Sequence, residues 1–117
     1  MPTHYISFGF PDTVLIPLAG FDLEDDSPVD GKIKNIIIDS PSEFVGIICR
    51  INEVRILPIE GEITIRNAVK YPIGRKVKFK DRLVVELENH DPLNPHTPSI
   101  VWEIDDEKLG KEVEELP

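Results

Sequence analysis

Short runs of Ile, Val, Leu and Phe that alternate with polar residues recur along this chain, and proline, glycine, asparagine and aspartate interrupt them. Successive side chains of a β-strand point to opposite faces, so this period of two predicts strands. Helical periodicity is absent before the C-terminal residues. The pattern therefore predicts an all-β chain. The predicted strands span residues 4–10, 13–18, 32–38, 43–51, 54–59, 62–67, 76–80, 82–88 and 99–104.

Many short strands with frequent turn residues indicate a single compact β-sandwich, jelly-roll-like in its connections. The 117 residues suit one domain with a substantial core. We expect the β-sandwich domain to occupy residues 1–104 and a short acidic extension to occupy residues 105–117. A helix is predicted in this extension, with Asp105 as its N-cap and Gly110 interrupting it.

The segment from Phe44 to Asn67 is predicted to form a three-stranded meander. Asn52-Glu53 supplies a two-residue hairpin turn, because asparagine tolerates a positive φ. Gly61 supplies the next turn. The polar segment at residues 22–31 is predicted to be a loop between strands.

Core positions follow from the alternation. Val45, Ile47, Cys49 and Ile51 share one face of a predicted strand, and Trp102 alternates with isoleucines in another. Trp102 is therefore predicted to lie in the core and not to form a sugar-stacking platform. Cys49 is the only cysteine, which excludes an internal disulfide, indicates a reducing compartment and predicts a buried thiol.

The formal net charge of −9 is concentrated at the two ends of the chain. Residues 1–30 hold six acids and no Lys or Arg, and residues 105–117 hold six acids and two bases. Residues 31–104 are nearly balanced, with ten acids and eleven bases. A nucleic-acid partner, which needs a basic face, is not expected. No apolar run is long enough for a membrane span, and the N-terminus does not resemble a signal peptide, so we expect an intracellular or virion-associated protein.

Amino-acid usage is skewed in the direction typical of proteins from hot habitats. The chain has eleven prolines, no glutamine and many charges of both signs. Proline in loops and a depletion of heat-labile residues are part of that pattern. The composition therefore predicts a thermophilic source.

A basic segment is the first candidate interaction surface. Alternation in an extended strand would place its lysines on one face. Two interpretations stay open: an exposed edge strand that lysines protect from aggregation, or a patch that docks an anionic ligand or the acidic ends of a neighbouring copy. The basic segment consists of Arg75, Lys76, Lys78, Lys80 and Arg82.

The second candidate is the loop at residues 89–98, which holds His90 and His96 among three prolines. Proline fixes φ and lowers the entropy of the unfolded chain, so we expect a rigid contact loop with both histidines exposed. A metal centre would need further ligands, and the chain offers only His4 and Cys49 besides carboxylates. We therefore expect no metal and no cofactor.

The same loop resembles one part of the blue-copper (cupredoxin) proteins over about twenty residues. In that family an Asn ends a strand and a Pro-His pair follows, the His being a copper ligand; Asn89 and Pro95-His96 hold these places here. The resemblance implies a β-sandwich with His96 as a copper ligand. The remaining ligands of the family lie in a C-terminal loop, and this chain has no Cys, His or Met after His96.

Carboxylates offer two further candidate sites. The five acids of residues 22–31 could hold calcium, although their spacing does not match an EF-hand loop. Glu86 and Glu88 share one side of a strand, with Glu103 as a possible neighbour, and could perform acid–base chemistry. Pairing with Lys or Arg across strands is the favoured interpretation of these glutamates. No catalytic motif is present, so we expect a protein that is not an enzyme.

These features together predict a structural protein that acts through surface contacts. It would associate with itself, as a trimer for example, or dock on a larger assembly, such as the capsid of a thermophilic virus as a decoration or minor component. The first alternative is a monomeric module that binds a glycan, peptide or anion through residues 89–98. The second is a cupredoxin-like or cupin-like metal protein.

Overall fold

The computed structural model describes residues 3–9 and 13–106. Within these ranges the chain forms eight β-strands and no helix. The strands are β1 (Thr3–Gly9), β2 (Gly20–Asp26), β3 (Gly31–Ser40), β4 (Val45–Ile51), β5 (Val54–Leu57), β6 (Asn67–Val77), β7 (Arg82–Asn89) and β8 (Ser99–Asp106).

The strands form two antiparallel four-stranded sheets, which confirms the predicted all-β sandwich. The first sheet has the order β1-β8-β3-β6, and the second has the order β2-β7-β4-β5. Pairing is nested, since β1 pairs with β8, β2 with β7, β3 with β6 and β4 with β5. The contacts of β3 with β8 and of β4 with β7 complete the sheets. The jelly-roll connection is a finer assignment and stays a prediction.

The core lies between the sheets and is built by the predicted alternation. Val45, Ile47, Cys49 and Ile51 are all buried on the inner face of β4. Trp102 in β8 is fully buried, as predicted, and meets Phe8 edge to face at a ring-centroid distance of 6.2 Å. Each such large apolar side chain contributes about 1.5–3 kcal/mol on burial. Burial raises the pKa of the Cys49 thiol to about 12, so this cysteine is inert at neutral pH.

Two predicted strands are wrong, because an apolar alternation also occurs in loops that pack on the core. Residues 13–18 lie outside the sheets and make one isolated bridge, between Leu15 and His96. Residues 62–67 likewise make only the bridge from Ile63 to Ile47 before β6 begins. The predicted meander is therefore reduced to the β4–β5 hairpin, whose turn does contain Asn52, at a φ of 52°.

The acidic segment at residues 22–31 is also not the predicted loop. Its first half belongs to β2, an edge strand that pairs only with β7. Its carboxylates meet arginines of the same sheet: Asp22 lies 3.6 Å from Arg50, and Glu24 lies 3.0 Å from Arg82. An edge strand buries little of its surface, so it can consist mainly of charged residues.

Strand β6 is an edge strand of the first sheet. The sequence predicted only its last residues as a strand. Most of its side chains are exposed, and it contains Pro72 and Gly74, which are typical of turns. Its partner β3 supplies the buried isoleucines of this region instead. The strand is held by pairing with β3 and by Tyr71 and Ile73, which pack half-buried against the core.

The C-terminal strand extends further than predicted. Asp105 and Asp106 belong to β8, where Asp105 pairs with Thr3 and Asp106 with Gly31. The predicted helix of the acidic extension falls on residues 107–117, outside the described residues.

Four connections meet at one end of the sandwich, called here the long-loop end. Hydrogen bonds join them: Leu15 and His96 exchange backbone bonds of 2.8 and 2.9 Å, and the His90 N–H donates to the Phe44 carbonyl at 2.8 Å. The long-loop end consists of residues 13–19, 41–44, 58–66 and 90–98.

Three tight turns meet at the opposite end, called the short-turn end. The Ser27 N–H donates to the Asp81 carbonyl at 2.8 Å, and the Asn52 N–H donates to the Arg82 carbonyl at 2.7 Å. Strand β1 begins and β8 ends here, as the pairing of Thr3 with Asp105 requires. The short-turn end consists of residues 27–30, 52–53 and 78–81.

Candidate functional site

The basic segment does not form the predicted strand. Lys76 lies near the end of β6, whereas Lys78 and Lys80 belong to the turn that follows, with Lys80 at a φ of 70°. The turn is stabilised by Asp81, whose carboxylate accepts the Lys78 N–H at 2.8 Å. A single face of alternating lysines is therefore wrong, because the strand ends at Val77.

The basic side chains are nevertheless exposed and cluster at the short-turn end. Arg75, Lys76, Lys78 and Lys80 are all exposed, and Lys32 of β3 lies opposite Lys76. Arg82 differs, since its guanidinium is engaged by Glu24 of β2. Lys32 could not be assigned to this surface from sequence, because the assignment depends on the β3–β6 register.

The loop at residues 89–98 is organised by Asn89, which is fully buried. Its side-chain amide donates to the carbonyls of Leu15, Ile16 and Asn94 at 3.1, 3.3 and 2.9 Å. Its side-chain oxygen accepts the Asp91 N–H at 2.9 Å. The Asn89 side chain thus holds residues 13–19 against the loop. The loop was predicted to be rigid because of its prolines, and these hydrogen bonds are a second reason for rigidity.

Asp91 and His96 form the second fastening of this loop. His96 Nε2 lies 2.9 Å from Asp91 Oδ2, and the same carboxylate accepts the N–H groups of Leu93 and Asn94 at 2.9 and 3.2 Å. The hydrogen bond from Leu93, followed by that from His96, lowers the pKa of Asp91 to about 2. His96 is only 15% exposed, so the prediction that both histidines are exposed is wrong for His96.

His90 is the exposed histidine, and it is surrounded by carboxylates. Its Nε2 lies 2.8 Å from Glu62 Oε2, and one ligand atom from each of Glu62, Glu88 and His90 lies within 4.8 Å of the others. The hydrogen bond from His90 to Glu62 raises the pKa of His90. Glu88 and His90 are two residues apart, a spacing that places them on one face, but no local signal connects either to Glu62.

A shallow cavity of about 220 Å³ adjoins this cluster on the outer face of the second sheet. Glu88 pairs across the sheet with Gly20 on one side and Gly46 on the other, so no neighbouring side chains cover it. Glu62 lies over Gly46: a Cβ at Gly46 would approach the Glu62 carboxylate to 2.1 Å. The glycine therefore permits the position of Glu62.

The predicted trio of glutamates is divided between the two sheets. Glu86 and Glu88 share the outer face of β7, whereas Glu103 is buried in β8 of the first sheet. Glu86 lies 3.3 Å from Arg50, and Glu103 lies 3.8 Å from Lys70. The expected pairing with basic residues across strands is therefore present for Glu86 and Glu103.

His96, the copper ligand that the cupredoxin resemblance implies, and Cys49 do not converge with other ligands on a copper site. Within residues 3–9 and 13–106, the only group of three converging metal-ligand side chains is Glu62, Glu88 and His90. His96 is engaged by Asp91, and Cys49 is buried in the core. The acids of residues 22–31 likewise form no such group within the part of the chain that the structure describes.

Exposed apolar side chains are concentrated at the long-loop end. Each of them is at least 51% exposed. Leu15 alternates with two of these residues and is itself fully buried, so the exposed positions project from a fixed segment. The exposed set consists of Val14, Ile16, Leu18, Phe44, Ile59 and Leu93.

Among the residues described, no helix has the length and apolar character needed to cross a membrane. Comparisons with protein-family models and with curated proteins return no match for this chain.

Proposed function

We propose that this protein is a non-enzymatic structural protein that assembles with copies of itself through its long-loop end. The observation that carries this proposal is the concentration of exposed apolar side chains there, on loops that hydrogen bonds hold in place. Exposed apolar side chains concentrated at one end of a small domain are typical of an interaction site. Since Asn89 and Asp91 already order the loops, association would cost little additional loop entropy.

The magnitudes favour association. Burying a large apolar side chain contributes about 1.5–3 kcal/mol, so the six exposed side chains of the long-loop end supply on the order of 10 kcal/mol. Association costs about 4–15 kcal/mol in lost freedom of motion. Apolar burial at this end can therefore offset the cost of forming an oligomer.

Charge supports a second contact between copies, at the short-turn end. Lys76, Lys78 and Lys80 are exposed close to where β8 ends, and acidic residues follow Asp106 in the sequence. Attraction between the basic segment of one copy and the acidic ends of another increases the association rate and selects the orientation. This contact weakens with salt, whereas apolar burial at the long-loop end does not.

The setting that we propose is a virus-like assembly from a hot habitat, with the protein as a capsid decoration or minor structural component. The nested strand pairing supports the jelly-roll connection, an architecture used by capsid subunits. The depletion of glutamine and the many prolines support the thermophilic source. The architecture is also used by lectins and cupins, so the assembly surface carries the proposal.

A monomeric binding module is the alternative, and one observation favours it. A cavity of about 250 Å³ at the long-loop end is lined by Phe44, Arg66, Asp91 and His96 among others. Arg66 would suit an anionic or peptide ligand there. A sugar platform at Trp102 has no support, since that ring is fully buried.

Light scattering after size exclusion, at low and high salt, tests the proposal. We expect the full chain to exceed 13.3 kDa in both conditions. A variant with Ile16→Ser and Leu93→Ser should run as a monomer, because both side chains belong to the apolar surface. Val54→Ser is the matched control, since Val54 is also an exposed apolar residue, at 51%, but lies in β5 outside that surface.

Two outcomes would contradict self-assembly through the long-loop end. A wild-type monomer at every concentration and salt would leave the binding module as the better hypothesis. An oligomer that Val54→Ser dissociates as effectively as the double variant would move the interface away from the long-loop end.

A further inference from the structure

We propose that Glu62, Glu88 and His90 form a binding site for one divalent cation of the zinc class. Two carboxylates and an imidazole are ligands that zinc accepts, and three protein ligands leave a further position for water. The site lies on the outer face of the second sheet, at its boundary with the long-loop end.

The ligand atoms are already close to coordination distances. They lie within 4.8 Å of one another, and Glu62 and His90 are separated by 2.8 Å. Ligands of a tetrahedral zinc ion lie about 3.4 Å apart, given Zn–O and Zn–N bonds of about 2.0–2.2 Å. Small side-chain rotations of exposed Glu88 and His90 suffice, with the cation replacing the hydrogen bond between His90 and Glu62.

The three ligands project from backbone that is held independently. Glu88 lies in β7, between β2 and β4. The His90 N–H donates to Phe44, and Ile63, next to Glu62, exchanges two backbone bonds of 2.9 and 3.0 Å with Ile47. A site built on fixed backbone does not pay the entropy of ordering its ligands when the cation arrives.

The charges around the site favour a cation. Asp22 and Glu86 also line the cavity, and the nearby Arg50 is engaged by these two residues at 3.6 and 3.3 Å. Within the described residues, neither Glu62 nor Glu88 makes a salt bridge with Lys or Arg. Uncompensated carboxylates in a concave site concentrate cations there.

The glycine pair is an independent observation in favour of a ligand. Gly20 and Gly46 flank Glu88 in the sheet, so no side chain projects from either of the two cross-strand positions beside it. Any Cβ at Gly46 would occupy the position of the Glu62 carboxylate. Glycine at position 46 thereby allows the Glu62 carboxylate to lie beside Glu88, a placement that a larger residue would prevent.

Calorimetric titration of the chelator-treated full chain with Zn²⁺, in excess Mg²⁺, tests the site. We expect one high-affinity ion for each chain. Glu88→Gln and His90→Gln should each weaken affinity by roughly 10–100-fold, at least as much as the loss of an outer-shell partner does. Both side chains are exposed, so both variants should fold.

Two further variants make the test specific. Gly46→Ala changes no ligand but displaces the Glu62 carboxylate, and we expect an affinity loss of about tenfold. Glu86→Gln is the matched control, since Glu86 shares the face and the cavity but is paired with Arg50, and its affinity should be unchanged.

Absence of saturable Zn²⁺ binding by the wild type would overturn the site. Binding that survives both Glu88→Gln and His90→Gln would do the same, and an equal loss in Glu86→Gln would indicate diffuse attraction by the acidic face. None of these outcomes bears on self-assembly, which light scattering measures in metal-free protein.

Discussion

The two ends of the sandwich are held together in opposite ways. At the long-loop end, buried side chains such as Asn89 and Asp91 fasten loops whose outer surface is apolar. At the short-turn end, exposed Asn52 and half-buried Asp81 close tight turns between charged residues. Long connections expose many backbone groups that need partners, and buried polar side chains satisfy them. The turns of the short-turn end bond one another through their backbones, as Ser27 and Asp81 do at 2.8 Å, so their outer surface can remain charged.

This contrast separates the two kinds of contact that the protein offers. A fixed apolar surface suits a persistent interface, because it excludes water and needs no ordering on association. A charged surface in water suits steering and is screened by salt. The long-loop end is therefore the better candidate for assembly, and the short-turn end for orientation.

The strongest test of the contrast between the two ends replaces one asparagine at each end with alanine. Asn89→Ala should lower the free energy of unfolding by about 2–4 kcal/mol, because the buried Asp91 N–H loses its acceptor and the Asn94 carbonyl loses its side-chain donor. Asn52→Ala should lower the free energy of unfolding by about 1 kcal/mol, since the Asp81 carboxylate and the Arg82 N–H can form hydrogen bonds with water instead. Urea unfolding followed by Trp102 fluorescence measures both. Equal losses would remove the distinction between the ends.

The next test uses acid. The lowered pKa of Asp91, from 3.8 to about 2, means that its contribution to stability is complete above about pH 4 and is lost as the pH falls through 2. The thermal midpoints of wild type and Asp91→Asn should therefore differ at pH 7 and converge between pH 4 and 2. Asp30→Asn is the matched control, because that carboxylate accepts one backbone bond, from Phe79, at the short-turn end. A constant midpoint difference across this range would contradict the assigned role of Asp91.

A smaller effect distinguishes side-chain bonding from backbone strain at the short-turn end. Asn52 has a φ of 52°, a region that glycine adopts without strain. Asn52→Gly should therefore be more stable than Asn52→Ala by about 0.5–1 kcal/mol, although both lose the same hydrogen bonds. Urea unfolding of the two variants measures this difference. If alanine proves equal to glycine, the side-chain bonds alone account for the turn.

The smallest effect is expected where the apolar surface is most exposed. Leu93→Ala should change the free energy of unfolding of the monomer by less than about 0.5 kcal/mol, because Leu93 is 80% exposed. The same substitution should weaken association, which light scattering detects by a lower mass at equal concentration. Val54→Ala is the control and should change neither, because Val54 is exposed but lies in β5, outside the long-loop end. A large loss of monomer stability in Leu93→Ala would show that this side chain supports the loop itself.

Part of the fold was predictable because its signal is local. The buried face of β4, the turn at Asn52 and the burial of Trp102 each follow from spacing along one segment. The edge strands β2 and β6 were not, because the acidic residues of β2 and the Pro72 and Gly74 of β6 are residue types typical of loops and turns. Residues 13–18 show the opposite error. Their apolar residues predicted a strand, but Leu15 packs on the core from a loop.

The candidate sites divide along the same line. His90 and the basic segment could be chosen from sequence, because an unusual residue type or a run of charge is visible there. The sequence could not predict that His96 turns inward to Asp91, because residues five apart in a loop can adopt many geometries. Glu62 joins Glu88 and His90 only because Ile63 bridges to Ile47 and Gly46 leaves room.

By itself, the sequence determined an all-β sandwich, its buried apolar faces and an acidic chain with a basic segment, because period-two alternation and charge are properties of neighbouring residues. Only the tertiary structure decided which loops meet at each end, which histidine is exposed and which carboxylates converge on it. These depend on strand register across nested pairs far apart in the chain, which no local pattern encodes.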